Sequence, residues 1–238
     1  MMSEPLYTRP IRTFHLIEGA KQAEGLCVII DVFRAISLEC CLYDLGASLV
    51  RPVGSIEDTL ALHSRIPGSL LIGERGGAKI EGFDYGNSPS SVTREGIAGR
   101  VVLHTTSAGT QGVVNAQGAE EIITGSLVNA AAIAAYIAQR QPQEVSLVCM
   151  GYAGIAPARE DELCAAYIES LLRGQPMEDI ARRAAALQQG GGAHFFDPAQ
   201  QHIYPEADFH FCIRRDVYPF VLRVEKDELG FFSRRIDL

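Results

Sequence analysis

From residue 26 to residue 151, short apolar runs alternate with stretches of helical periodicity. "LCVIIDVF" (26–33) is apolar at nearly every position, as a strand covered on both faces is, and predicts a buried β-strand. "AISLECCLYDLGA" (35–47) predicts a helix ending near Gly46. "SLVRPV" (48–53) predicts a second strand. Ser55 then caps a helix over "IEDTLALHSRI", with Asp58 three residues on completing a box-like start. Four more strands are predicted at "SLLIGE" (69–74), "RVVLHT" (100–105), "EEIITG" (120–125) and "EVSLVCMG" (144–151). Helices are expected over 107–117, 127–140 and 160–173.

Continuous apolar strands separated by helices predict an α/β fold, a layered sandwich with a largely parallel or mixed sheet, Rossmann-like. The last third reads differently. "MEDIARRAAALQQ" is helix-like, "GGGAHFFDP" is a loop, and a short helix is expected near 206–215. "PFVLRVEKD" and "LGFFSRRID" are candidate strands that would form a subdomain or an antiparallel edge. The expected division is an α/β core over 1–175 and a smaller C-terminal α+β portion over 176–238, packed on the core.

Composition narrows the partners. The 238 residues are 47% hydrophobic and 21% charged, enough apolar side chain for a sizeable core. A formal net charge of −8 argues against nucleic acid or an anionic membrane surface as the main partner, since both need basic stripes. A small anionic substrate needs only a local cluster of Arg, Lys or backbone N–H groups. No apolar signal core opens the chain and no run approaches the ~18 apolar residues of a membrane span, so a cytoplasmic protein is expected. Cys27, Cys40, Cys41, Cys149, Cys164 and Cys212 form no CxxC pair and sit mostly in apolar runs, which reads as buried reduced thiols.

Open α/β sheets bind ligands at the carboxyl ends of their strands. Here the first predicted strand leads to Asp31 and Arg34. The third leads to Glu74 and Arg75 and a glycine-rich stretch running to Asn87 and Ser88, which precede Pro89 as caps of a short helix. The fourth ends in "HTTSAGT" with Thr105, Thr106 and Ser107, the fifth in "TGSLVNA" with Asn129, and the sixth in "ARED" with Arg159, Glu160 and Asp161. Strand-to-helix turns aim backbone N–H groups at one place, hydroxyls add hydrogen bonds, and arginines add charge. Asp31, Glu74, Glu160 and Asp161 are hard oxygen donors suited to Mg²⁺. An anion pocket beside carboxylates suits metal-assisted phosphoryl chemistry.

Each motif has a plainer explanation. "HTTSAGT" reads as a helix N-cap, the acidic pair as first-turn complements of a helix dipole, and Asp31 with Arg34 as an ion pair. Their shared placement on one rim favours a site. No Gx4GK[ST] or GxGxxG occurs, no Arg stands six positions after a Cys, and Phe33 breaks a DxD pattern. No pair of histidines has metal-binding spacing. His104 reads as packed, and His194 as a mobile contact in the glycine loop.

In order, "VIIDVFRA", "GERGG" with "IEGFDYGNSP", "HTTSAGT", "GSLVNA" and "REDELCAA" resemble the 2-phosphosulfolactate phosphatase family. The resemblance covers residues 26 to 170. It implies a Mg²⁺-dependent hydrolase that removes phosphate from 2-phosphosulfolactate to give sulfolactate, a reaction associated with coenzyme M biosynthesis. By carry-over, Asp31, Glu74 and Arg75 are catalytic candidates, and Asp31, Glu160 and Asp161 are metal-ligand candidates. Arg34, Asn87, Ser88, Thr105, Thr106, Ser107, Asn129 and Arg159 become candidate substrate contacts. Ser107-Ala108 replaces the Asn of the family's usual TTNGT, and "AREDE" replaces an approach like SLED. Both changes fall where substrate would be touched, so the substrate stays open. Two rivals also stay open: a small-anion-binding protein without catalysis, and a hydrolase using Cys149 or Cys164 with His104 or His194 as base. A homodimer is a further possibility, with the C-terminal strands pairing across it.

Overall fold

The computed structural model describes residues 4–238. Ten strands are found there: β1 (Ile11–His15), β2 (Leu26–Ile30), β3 (Leu49–Pro52), β4 (Leu70–Arg75), β5 (Ala78–Lys79), β6 (Val101–Thr105), β7 (Glu121–Gly125), β8 (Val145–Cys149), β9 (Phe220–Asp227) and β10 (Gly230–Asp237). The helices are α1 (Leu16–Ala20), α2 (Ala35–Asp44), α3 (Ile56–Arg65), α4 (Arg94–Ile97), α5 (Gly109–Asn115), α6 (Ala130–Arg140), α7 (Arg159–Leu172), α8 (Ile180–Ala186) and α9 (Glu206–Cys212), with several short 3₁₀ turns between them. The strands form one mixed sheet in the order β1-β8-β2-β7-β9-β10-β3-β6-β4-β5. The α/β class expected from the alternation is thus the one observed.

Strand periodicity explains the layers. Leu26, Val28 and Ile30 of β2 face a core shared with α6, α7 and α8, while Cys27 and Ile29 face a second core built with α1 and α5. β8 divides the same way, Val145, Leu147 and Cys149 against Val148. Successive side chains on a strand point to opposite faces, so a strand buried on both sides is apolar at nearly every position. In the other half, Leu70 and Ile72 of β4 join the core around α2, and Leu71 joins a smaller one beside α3. Helix α2 has nine buried residues out of ten, because helices and strands surround it on all sides. The box-like start at α3 forms: Ser55 Oγ accepts from Asp58 N at 3.0 Å and donates to Asp58 Oδ2 at 2.7 Å.

The C-terminal strands lie in the middle of the sheet and not at an edge. β9 pairs antiparallel with β7, and β10 pairs antiparallel with β9 and with β3. Phe220, Val221 and Leu222 are fully buried there, which an edge hairpin would not require. This hairpin joins two internally parallel groups, β1-β8-β2-β7 and β3-β6-β4. In a flat sheet the three antiparallel pairings would send the two groups in opposite directions. Adjacent strands rotate by about 20–25°, so the five steps from β2 to β6 turn the strand direction by about 100–125°. The carboxyl ends of both groups therefore open on one cleft, and Asp31, Glu74, Ser107 and Gly151 all line it.

Candidate active site

The cleft is a cavity of about 520 Å³. Of the residues singled out in the sequence, Asp31, Arg34, Glu74, Asn87, Ser107, Arg159, Glu160 and Asp161 line it. Arg75, Ser88, Thr105, Thr106 and Asn129 do not.

Three carboxylates gather on the β2 and α7 side. Asp31 Oδ1 accepts from Ala35 N at 3.1 Å, which ties it to the first turn of α2, while Oδ2 accepts no hydrogen bond among the described residues. Asp161 accepts from Val32 N and from Gly151 N, both at 2.8 Å, and so ties α7 to the ends of β2 and β8. Glu160 Oε2 is buried without a partner. Burial first, then the charges of Glu74 and Glu160, raise the Asp31 carboxyl to about 7. Burial, followed by Asp31 and Glu160, raises Asp161 well above its ordinary value, and burial raises Glu160. The donor chemistry fits a divalent cation: hard oxygens, one of them orphaned, and mutual repulsion that positive charge would relieve. Among the described residues no three His, Cys, Asp or Glu side chains stand close enough together to hold a metal ion by themselves. That is compatible with Mg²⁺, which keeps waters and takes one or two carboxylates plus substrate oxygens.

Glycines let the backbone close in on these groups. A Cβ on Gly109, the first residue of α5, would stand 2.9 Å from Asp31 Oδ2 and 2.8 Å from Ala35 Cβ. A Cβ on Gly191 would stand 2.4 Å from Glu160 Oε2. The glycine triplet 190–192 is therefore the place where the C-terminal segment crosses over Glu160.

Opposite the acidic group, Glu74 acts as a staple. It accepts from Gly77 N and Ser107 N, both at 2.7 Å, and from Ser107 Oγ at 3.3 Å, joining the β4–β5 turn to the β6–α5 turn. Arg34 is also committed to the protein. Its Nη1 donates to Asp208 Oδ2 at 2.7 Å and to Ile203 O at 2.9 Å, and Nη2 donates to Gly77 O at 3.1 Å. The rings of Tyr204 and Phe195 lie over the guanidinium at 5.0 and 5.8 Å. Arg34 thus anchors the segment from Leu187 to Cys212, and Asp208 balances its charge inside the protein. Arg159 is the opposite case, exposed at the rim with no ion-pair partner among the described residues.

The residues outside the cleft have structural work. Arg75 donates to Thr105 Oγ1 at 3.0 Å and to Glu74 O at 2.7 Å. Thr106 and Thr110 bond reciprocally, side chain to backbone N–H, at the start of α5. Asn129 accepts from Ser126 N at 3.0 Å and completes a capping box. Ser88 stands at the N-cap position of a 3₁₀ turn over Pro89–Ser91, but its hydroxyl donates to Asp208 Oδ1 at 2.9 Å and does not cap. His104 is fully buried between Glu39 and Asn87. His194 lines the cavity, its ring 4.4 Å from those of Phe195 and Tyr204, and burial with the nearby Arg34 charge lowers its pKa. Sequence reasoning missed Tyr152 and Tyr204 at the cavity wall. The glycine triplet was the one local signal that the C-terminal segment comes close.

A cysteine nucleophile is excluded on physical grounds. All six thiols are buried, Cys149 at 1% exposure and Cys164 at 0%, and neither lines the cavity. Burial raises the pKa of both, which suppresses the thiolate.

Carboxylates from the end of β2 and the first turn of α7, with an arginine at the rim of the same cavity, define an α/β protein with a site for a small charged molecule. The sequence pattern of the 2-phosphosulpholactate phosphatase family matches residues 11–227. The chain belongs to that family. It is 39% identical over 148 residues to a probable 2-phosphosulfolactate phosphatase of Synechocystis, a match spanning 61% of each chain. It is 40% identical over 157 residues to a protein of the same description from Thermotoga petrophila, spanning 66% of each. With another from Caldanaerobacter subterraneus it shares 34% identity over 214 residues, 88% of this chain and 85% of that one.

Proposed function

We propose that the protein is a Mg²⁺-dependent phosphatase hydrolysing 2-phosphosulfolactate to sulfolactate and phosphate. The observation that carries this reading is the buried group of Asp31, Glu160 and Asp161, whose carboxylates face one cavity with no cationic side chain bonded to any of them among the described residues. The substrate follows from the names of the relatives. Mg²⁺, held by Asp31 and Glu160 with Asp161 behind them, would supply positive charge to the phosphoryl oxygens.

The chain's own groups account for the rest. Asp31 Oδ2, which accepts no hydrogen bond among the described residues, is placed to take the proton of an attacking water. Arg159 at the rim offers a bidentate donor to the phosphate, sulfonate or carboxylate of the substrate. Glu74 fixes the two turns that form the opposite wall, so the cavity keeps its shape as charge develops. No helix among the described residues is long and apolar enough to cross a membrane. Six unbridged, buried thiols favour a reducing compartment, and we place the protein in the cytoplasm.

Phosphate release from 2-phosphosulfolactate and from a panel of phosphomonoesters, with Mg²⁺ and with EDTA, tests the proposal. Turnover that needs the metal and favours phosphosulfolactate is expected. Saturable binding of the compounds without phosphate release would leave the anion-binding reading in its place.

A further inference from the structure

Behind the cavity wall lies a polar group that the proposed chemistry does not use. Glu39 of α2, His104 of β6 and Asn87 of the glycine-rich stretch form a chain, with the first two exposed by 1% and 0%. His104 Nδ1 lies 3.2 Å from Glu39 Oε1, and Nε2 lies 3.1 Å from Asn87 Oδ1. Asn87 Oδ1 can only accept, so the ring donates to it from Nε2. Glu39 Oε2 has no partner, so the carboxylate is held by the ring alone. A buried carboxylate and ring are costly to keep in an apolar core, and a packing role would be met as well by apolar side chains.

Only Asn87 of the three reaches the cavity. With its Oδ1 held by His104, the amide has one orientation left, and its NH₂ faces away from the ring. Asn87 Nδ2 donates to nothing among the described residues, although the residue is only 5% exposed. We infer that Glu39 and His104 are positioning residues that lock the Asn87 amide with its NH₂ toward the cavity, as a fixed donor to an oxyanion of the ligand. The inference rests on the proposed reading of the cleft as an anion site. Without His104, the amide can turn over and present its oxygen to the anion, so a donor becomes a repelling acceptor.

Inorganic phosphate is the probe, titrated calorimetrically into the wild type, Asn87→Ala, the double variant Glu39→Met/His104→Phe, and the triple variant. The double variant replaces the buried pair with apolar groups of similar size, so it is expected to fold, and circular dichroism checks this. A hydrogen bond to a charged group predicts a roughly tenfold weaker Kd for Asn87→Ala and for the double variant. Coupling predicts that the triple variant is no weaker than either. Wild-type affinity in the folded double variant, independent losses that multiply in the triple variant, or no phosphate binding by the wild type would each overturn the inference. Phosphomonoester turnover by the wild type is read in parallel. Intact phosphate binding without turnover would count against the proposed function and leave the locked donor standing.

Discussion

Asp208→Asn should unfold the protein far more easily than its conservative chemistry suggests. Asp208 is 0% exposed and Arg34 3%, and the carboxylate is 2.7 Å from Nη1. Asp208 Oδ1 also accepts from Ser88 Oγ and Ser90 N, both at 2.9 Å, and an asparagine oxygen can keep those two bonds. What it cannot do is balance the guanidinium, which stays buried among Phe195, Tyr204 and the carbonyls of Ile203 and Gly77. Breaking one side of a buried pair costs about 3–5 kcal/mol. For a chain of this size each kcal/mol moves Tm by about 2–4 °C, so a fall of about 6–20 °C is expected. Urea unfolding followed by circular dichroism, with a thermal scan, measures both. Because Asp208 sits in α9 and Arg34 beside α2, the loss should also loosen Leu187–Cys212 and make that segment the first protease target. A change under about 1 kcal/mol would refute the assignment of Arg34 as an internal anchor.

Other perturbations test other parts of the site. Arg159→Ala should change stability by less than about 0.5 kcal/mol, since the side chain is exposed and unpaired, yet it should raise KM for the anionic substrate about tenfold. Gly109→Ala places a methyl 2.9 Å from Asp31 Oδ2, so phosphate release should fall about 100-fold for a cost of only about 1–3 kcal/mol in urea. In EDTA, Asp31 ionises near 7 when folded and near 3.8 when unfolded. The native state therefore holds the extra proton between those values, and wild type should lose stability relative to Asp31→Asn as pH rises from 4 to 7. A constant difference across that window would count against the buried acid. Burial raises the thiols, Cys27 to about 12 and Cys41 to about 11, so a thiol reagent at pH 8 should label none quickly in the native protein and all six in urea.

The strands buried on both faces were legible because their runs are apolar throughout, as in β2 and the first three residues of β4 and β6, or nearly so, as in β8 with Ser146. β1 was not, since Arg12 and Thr13 are exposed on this edge strand and break any apolar run. The central place of β9 and β10 was also hidden, because their outer halves are charged and nothing local records pairing with β7 and β3. In the site, the residues that follow β2, β4 and α7's first turn reach the cavity because strand ends converge there. The hydroxyl of Thr106 and the amide of Asn129 serve their own turns, as local capping chemistry predicts equally well, while the Thr105 hydroxyl accepts from Arg75 of the neighbouring β4. The fate of Arg34 depends on Asp208, 174 positions later, and no spacing rule reaches that far. The same distance hides the crossing of the glycine triplet over Glu160.

The rate of phosphate release from 2-phosphosulfolactate by wild type and by folded Asp31→Asn, both with Mg²⁺, bears most directly on the cleft as a phosphatase site. Asp31 is the carboxylate at the end of β2 on which the proton transfer rests, so a loss of at least about 100-fold is expected. Equal rates in the two proteins would contradict it.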